Sequence, residues 1–230
     1  MVIPEKYKKT LLFKVLKEVK GCIKDIWGRI KTFINSIRLL FREYGIEKEL
    51  GIDTTGTWGV IGNYDFYDDT IGYMPTPYYV IDEVLDYLKL GSKDVFMDLG
   101  CGKGRVLFYT GLKGVKKVVG VESDPEAYQA ACDNMARLRK KFSPIEIINQ
   151  DAAEADTTEV TVFFMYNPFM PRTMRQLLEK IRLDLSQNPR RIQIVYYNAL
   201  QHKILDEQDW LRYEGKFGNM TKFRVWKNIV

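Results

Sequence analysis

The sequence predicts an α/β protein: a doubly wound, mostly parallel seven-strand sheet preceded by a long amphipathic helix. Three observations carry this expectation. From residue 94 onward, short apolar runs alternate with amphipathic stretches, the pattern of strands covered by helices on both faces. The first of those runs ends in "MDLGCGKGR" (97–105), a glycine-rich turn placed between a strand and a helix. Glycine is costly to order, so three set this closely imply a backbone that turns tightly against something. Residues 1–44, by contrast, keep a helical rhythm and carry a charge balance unlike that of the rest of the chain.

The N-terminal segment comes first. Leu12, Leu16, Val19, Ile23, Ile26, Ile30, Phe33, Ile37, Leu40 and Tyr44 follow one another at steps of three and four, and Trp27, Ile34 and Phe41 widen the stripe. Gly21 and Gly28 suggest a bend, and Gly45 suits the residue after the last turn. Eleven Lys/Arg stand against four acids in 1–44, a net of +7. The remainder then has 24 basic and 26 acidic residues, a net of −2. This change in charge divides the chain into a basic helical segment, 1–45, and a body, 46–230. The stripe fits burial against the body or a second copy of the chain. It also fits an in-plane helix on an anionic membrane, through residues 5–44. A nucleic-acid arm needs no broad apolar face and is disfavoured.

The body begins with an aromatic and glycine-rich connection, 51–77, long enough to suggest a functional loop. Pro77 opens an amphipathic helix over 78–89. Strands are expected at 95–99, 117–122, 145–149, 160–166 and 191–197, with helices at 103–112, 124–142 and 171–185 between them. Asp124 and Pro125 form a helix start. Residues 210–217 and 221–229 read as a terminal strand pair around Gly218-Asn219. No internal repeat or low-complexity tract is visible.

Composition limits the chemistry. The chain has 230 residues, 46% of them hydrophobic and 28% charged, enough for one full core. Cys22, Cys101 and Cys132 are scattered, and His202 is the single histidine. That argues against a disulfide scaffold and a metal site, and for a reduced, cytoplasmic compartment. No apolar run approaches a spanning helix, and no signal-peptide core is seen at the N-terminus. Cys101 reads as a small loop residue rather than a nucleophile.

The glycines are spaced GxGxG at Gly100, Gly102 and Gly104, with Asp98 two residues ahead. This is neither the GxGxxG of dinucleotide binding nor a phosphate-binding loop, which would need Lys followed by Ser/Thr. The chain here resembles the class I S-adenosylmethionine-dependent methyltransferases. "DLGCGKG" matches their first motif. Glu122 ends the second strand, where the family binds both ribose hydroxyls. Asp151, in "NQDA" after the third strand, takes the position that contacts the adenine amine. Asn167, Pro168 and Phe169, in "YNPF" after the fourth strand, take the position of the catalytic or substrate-orienting motif. The resemblance covers about 73–230, in order along the chain. "PTP" before the core, with Thr76 as a cofactor contact, is similar to a set of uncharacterised microbial methyltransferases and, more distantly, to mitochondrial protein-lysine methyltransferases.

The resemblance implies S-adenosylmethionine as cofactor and a protein lysine or small amine as acceptor. The cofactor's charges fit these residues: Asp98 offers negative charge to the ammonium and Glu122 accepts from two hydroxyls. Asp151 also suits a helix N-cap, and Asn167 a turn before proline. Tyr166, Tyr196 and Tyr197 end strands on the same side, as pocket walls or as ordinary strand-end aromatics. Two alternatives stand beside this reading: a cofactor-binding module without catalysis, and a nicotinamide-dependent oxidoreductase.

Overall fold

The computed structural model describes residues 5–56, 72–219 and 222–229. Part of the expected loop, 57–71, lies outside them. The chain forms two compact units, one ending at Ile46 and one beginning at Glu47.

Helix α1 spans Glu5–Leu50, and its last turn, from Glu47, belongs to the second unit. It runs without interruption through Gly21, Gly28 and Gly45, so the stop expected at Gly45 falls at Gly51 instead. There the amides of Gly51 and Ile52 both donate to the Glu47 carbonyl, at 2.8 and 3.1 Å. Leu50 and Ile52 are buried on either side of the turn. Tertiary burial thus decides where the helix ends, not the first available glycine.

The second unit is a seven-strand sheet flanked by helices. Its strands are β1 (Val95–Leu99), β2 (Lys117–Glu122), β3 (Ile145–Asn149), β4 (Val162–Tyr166), β5 (Gln193–Tyr197), β6 (Leu211–Phe217) and β7 (Phe223–Asn228). Their order is β3-β2-β1-β4-β5-β7-β6. The first five pair in parallel, and β7 runs antiparallel between β5 and β6. The mostly parallel sheet is as expected. The helices are α2 (Tyr78–Leu88), α3 (Arg105–Gly111), α4 (Pro125–Ala136), α5 (Pro171–Gln187) and α6 (His202–Asp206). Every residue of β1 is buried, and Phe96, Phe163, Phe164, Tyr196 and Trp226 lie fully inside. Burying each such side chain contributes about 1.5–3 kcal/mol.

Two further elements depart from expectation. Helix α4 starts as predicted, with the Asp124 carboxylate accepting from the Ala127 amide at 2.8 Å, but it stops at Ala136 rather than near residue 142. The Arg139 amide donates instead to the Leu50 carbonyl at 3.1 Å, and the Arg139 side chain reaches the Lys48 carbonyl. The chain leaves the helix to pack on the end of α1. The five-residue α6 was not expected; it is too short for a periodic signal.

Candidate active site

The parallel order reverses between β1 and β4, the two strands that leave the sheet centre in opposite directions along the sequence. Crevices at the carboxyl ends of strands beside such a reversal bind ligands. The order β3-β2-β1-β4 sets four of the predicted positions in a row: Asp151, Glu122, the glycine turn with Asp98, and Asn167.

The glycine turn is shaped by its protein neighbours. Gly102 has φ +53°, and a Cβ there would lie 2.3 Å from the Tyr73 ring. Gly100 has φ +76°, and a Cβ there would meet Pro168 at 2.4 Å. The glycines therefore admit Tyr73 and Pro168 against the backbone, in addition to the close ligand approach expected from sequence. Pro168 on Gly100 joins the fourth-strand motif directly to the first.

Asp98 sits one residue before the end of β1, opposite Gly120 and Phe164 of the flanking strands. It is 3% exposed and has no hydrogen-bond or ion-pair partner among the described residues. Burial, with the nearby Glu122 charge, pushes its carboxyl well above the usual range. An unpaired buried carboxylate is costly unless a cation arrives to meet it.

Glu122 is half-buried and already engaged. Its Oε2 accepts from the Gly102 amide at 2.8 Å and its Oε1 from the Asp124 amide at 2.9 Å. Burial raises its pKa, and those two backbone bonds oppose the rise. Each oxygen keeps a lone pair. Glu122 thus holds the glycine turn in shape, a role the sequence did not reveal. Asn149 steadies the same loop through the Glu122 and Ser123 carbonyls.

Asp151 is exposed and caps the short turn Ala152–Glu154, accepting from the Ala153 amide at 2.8 Å. Thr76 is buried, and its carbonyl accepts from Arg105 at 3.3 Å. Asn167 is buried with φ +43°, in the left-handed region that asparagine tolerates better than most residues. Pro168 behind it disfavours the right-handed alternative. Phe169 is in the core with Met165, Met174 and Tyr196, where it anchors the motif. The Tyr166 and Tyr197 rings meet at a tilt of 53°, 4.5 Å between centroids, and the Tyr166 hydroxyl lies 2.9 Å from the Met74 sulfur.

Other polar residues stay outside this row. Burial pushes the Cys101 thiol well up, so it is a packing residue, as read from sequence. His202 pairs with Asp206 at 2.9 Å on the surface. Among the described residues no group of three or more His, Cys, Asp or Glu could hold a metal ion.

Sequence reading missed the support beneath the site. Arg105 of α3 donates to Thr54 Oγ1 at 2.7 Å, pairs with Glu47 at 3.0 Å and covers the Tyr78 ring. Tyr73 donates to the Thr54 carbonyl at 2.7 Å, and Lys103 to the Thr55 carbonyl at 2.7 Å. Asn134 of α4 binds both the amide and the carbonyl of Asp53, each at 2.9 Å. Residues 47–56 are thereby tied to the glycine turn. Arg105 following the third glycine was the one available signal, but arginine on a helix is ordinarily exposed.

Known proteins bear on this geometry. The profile of the family described as "Histone methylation protein DOT1" matches residues 62–209, more than half of the chain. A "Protein-lysine N-methyltransferase" of Saccharolobus islandicus (strain REY15A) is 31% identical over 126 residues, 54% of this chain and 76% of that protein. The "Histone-lysine N-methyltransferase, H3 lysine-79 specific" of Dictyostelium discoideum is 37% identical over 87 residues; the match spans 32% of this chain and 5% of that much longer protein. The solved ribosomal protein L11 methylase of Lactobacillus delbrueckii subsp. bulgaricus, at 14% identity, shares the fold with TM-score 0.50, over 67% of this chain and 80% of that one.

Fold, site and relatives define a class I methyltransferase whose methyl donor is S-adenosylmethionine. The chain belongs to the DOT1 histone-methylation family. The site fits the donor: orphaned Asp98 suits a cationic ligand, and Glu122 retains acceptor capacity for hydroxyls. The nicotinamide alternative falls with this assignment.

Proposed function

We propose that the chain methylates a lysine side chain of a protein, and that its N-terminal helix docks the enzyme on an anionic membrane. The observation that carries the first part is Asn167, a neutral buried amide set beside the glycine turn through Pro168. The 31%-identical protein-lysine methyltransferase supports the same acceptor.

When bound, S-adenosylmethionine supplies an electrophilic methyl on a sulfonium. Asp98 and Glu122 would hold the donor, with Asp151 and Thr76 at its flanks. Asn167 accepts an N–H of the incoming neutral amine and aims its lone pair. A donor held there by Asp98 and Glu122 would supply the methyl carbon for that lone pair and retain the C–S electron pair on its sulfur. The surplus proton then leaves the methylated amine for water. Alignment of this kind contributes several kcal/mol to such a displacement.

The test is incubation of the full chain with labelled S-adenosylmethionine and core histones, followed by membrane and soluble lysate fractions. Label on lysine is expected. Asn167→Ala should keep cofactor affinity and lose turnover. Cofactor binding with no transfer to any fraction favours a binding module without catalysis, and label confined to small amines overturns the protein acceptor.

For the helix, Ile23, Ile26, Trp27, Ile30, Phe33 and Phe41 are exposed and project within an arc of about 120° at roughly 100° per residue. Among the described residues the first unit is a single helix with no second element of its own. No helix among the described residues is long and apolar enough to cross a membrane. The +7 balance of residues 1–44 suits an anionic surface, each basic residue contributing about 1 kcal/mol near it. The enzyme would then be cytoplasmic and peripheral. Vesicles containing phosphatidylserine should pellet the full chain at low salt and not at high salt. Lys20→Glu/Lys24→Glu/Lys31→Glu should stay in solution. A wild-type chain that ignores the vesicles and dimerises instead sinks the membrane reading.

A further inference from the structure

Tyr196 is fully buried on β5, and the reaction as derived above does not use it. Its hydroxyl lies between two groups. The Gln201 amide donates to it over 3.4 Å, and Asn167 Oδ1 stands 2.8 Å away. No other acceptor for the phenolic proton is within bonding distance among the described residues, so the hydroxyl donates to Asn167. Burial pushes the phenol pKa up to about 12, which keeps that proton in place across neutral pH.

The direction of this bond matters chemically. An asparagine amide is nearly symmetric in shape, and its terminal torsion is broad and two-fold. With the oxygen presented, an amine donates an N–H and keeps its lone pair for the methyl carbon. With the NH2 presented, the amide donates into that lone pair and blocks the nucleophile. We propose that Tyr196 is a positioning residue for methyl transfer: its O–H holds the Asn167 amide by one oxygen lone pair and leaves the other to receive the acceptor amine. The backbone amide of Gln201 fixes the chain Gln201 N–H to Tyr196 O–H to Asn167 Oδ1. This inference rests on the lysine-amine reading above.

Two measurements on the full chain test it. In 15N-labelled protein, the Asn167 side-chain amide signals, assigned by their loss in Asn167→Ala, should shift and exchange faster in Tyr196→Phe. They should be unaltered in Tyr213→Phe, which removes a hydroxyl from the distant β6. With core histones as the lysine probe, Tyr196→Phe should lower kcat about tenfold or more while KM and cofactor affinity stay within about twofold. Unchanged Asn167 signals, or an unchanged kcat, overturns the role. If the wild type transfers nothing to lysine, the acceptor reading fails, and the amide signals alone decide whether Tyr196 holds Asn167.

Discussion

Arg105 Nη2 lies 3.0 Å from Glu47 Oε1, with the two side chains only 4% and 7% exposed. This pair joins the last turn of α1 to the helix that follows the glycine turn. The Glu47 carboxylate also accepts from the amide and the hydroxyl of Thr54. Glu47→Ala would leave the Arg105 charge buried without its partner, at a cost of about 3–5 kcal/mol. Urea unfolding should show that loss. Glu47→Leu/Arg105→Met should be more stable than Glu47→Leu alone, because no charge is then stranded. Additive losses in the double variant would contradict the pairing.

Gly102→Ala should displace Tyr73, whose ring occupies the place of the new methyl group. Cofactor affinity and stability should both fall. Adding Tyr73→Ala removes the clash, leaving the positive-φ strain of about 1 kcal/mol. Thermal melts should therefore place the cost of Gly102→Ala lower in the Tyr73→Ala background than in the wild type. Equal costs in both backgrounds would mean that the ring is not what requires the glycine.

Asp98 should make the free enzyme respond to pH in the sense opposite to an ion-paired carboxylate. Its folded pKa is raised, so between the unfolded value of 3.8 and the folded value the native state binds the extra proton. Stability then falls as pH rises through that window. Asp98→Asn, which cannot ionise, should raise the melting temperature of the cofactor-free enzyme near neutral pH. It should also weaken cofactor binding. A variant that melts lower yet binds as the wild type does would remove Asp98 from the site.

Glu122→Gln should be nearly as harmful to cofactor binding as Glu122→Ala. Both carboxylate oxygens accept from backbone amides, Gly102 and Asp124, and glutamine offers one oxygen and one donor. One amide is left facing an NH2. Losing a charged hydrogen bond worth about 1.5–3 kcal/mol corresponds to tenfold weaker binding or more. Calorimetry giving wild-type affinity for Glu122→Gln would exclude this arrangement.

Local signals in the chain were enough to predict the strands, the glycine turn and a mostly parallel sheet, and the family resemblance supplied the candidate site positions at its strand ends. The apolar runs of β1 to β5, the Asp124-Pro125 helix start and the GxGxG spacing each act within a few residues, and a parallel sheet places all its βα turns on one edge. Only the tertiary structure decided what those residues touch. Asn134 meets Asp53 across 81 positions, Arg105 meets Glu47 across 58, and Tyr196 meets Asn167 across 29. Other tertiary contacts, Arg139 on the Leu50 carbonyl and the burial of Leu50 and Ile52, end α4 early and carry α1 past Gly45. Helical periodicity and capping report the preference of a segment by itself; a buried polar group is satisfied by whichever partner the fold brings near, and no sequence spacing encodes that distance.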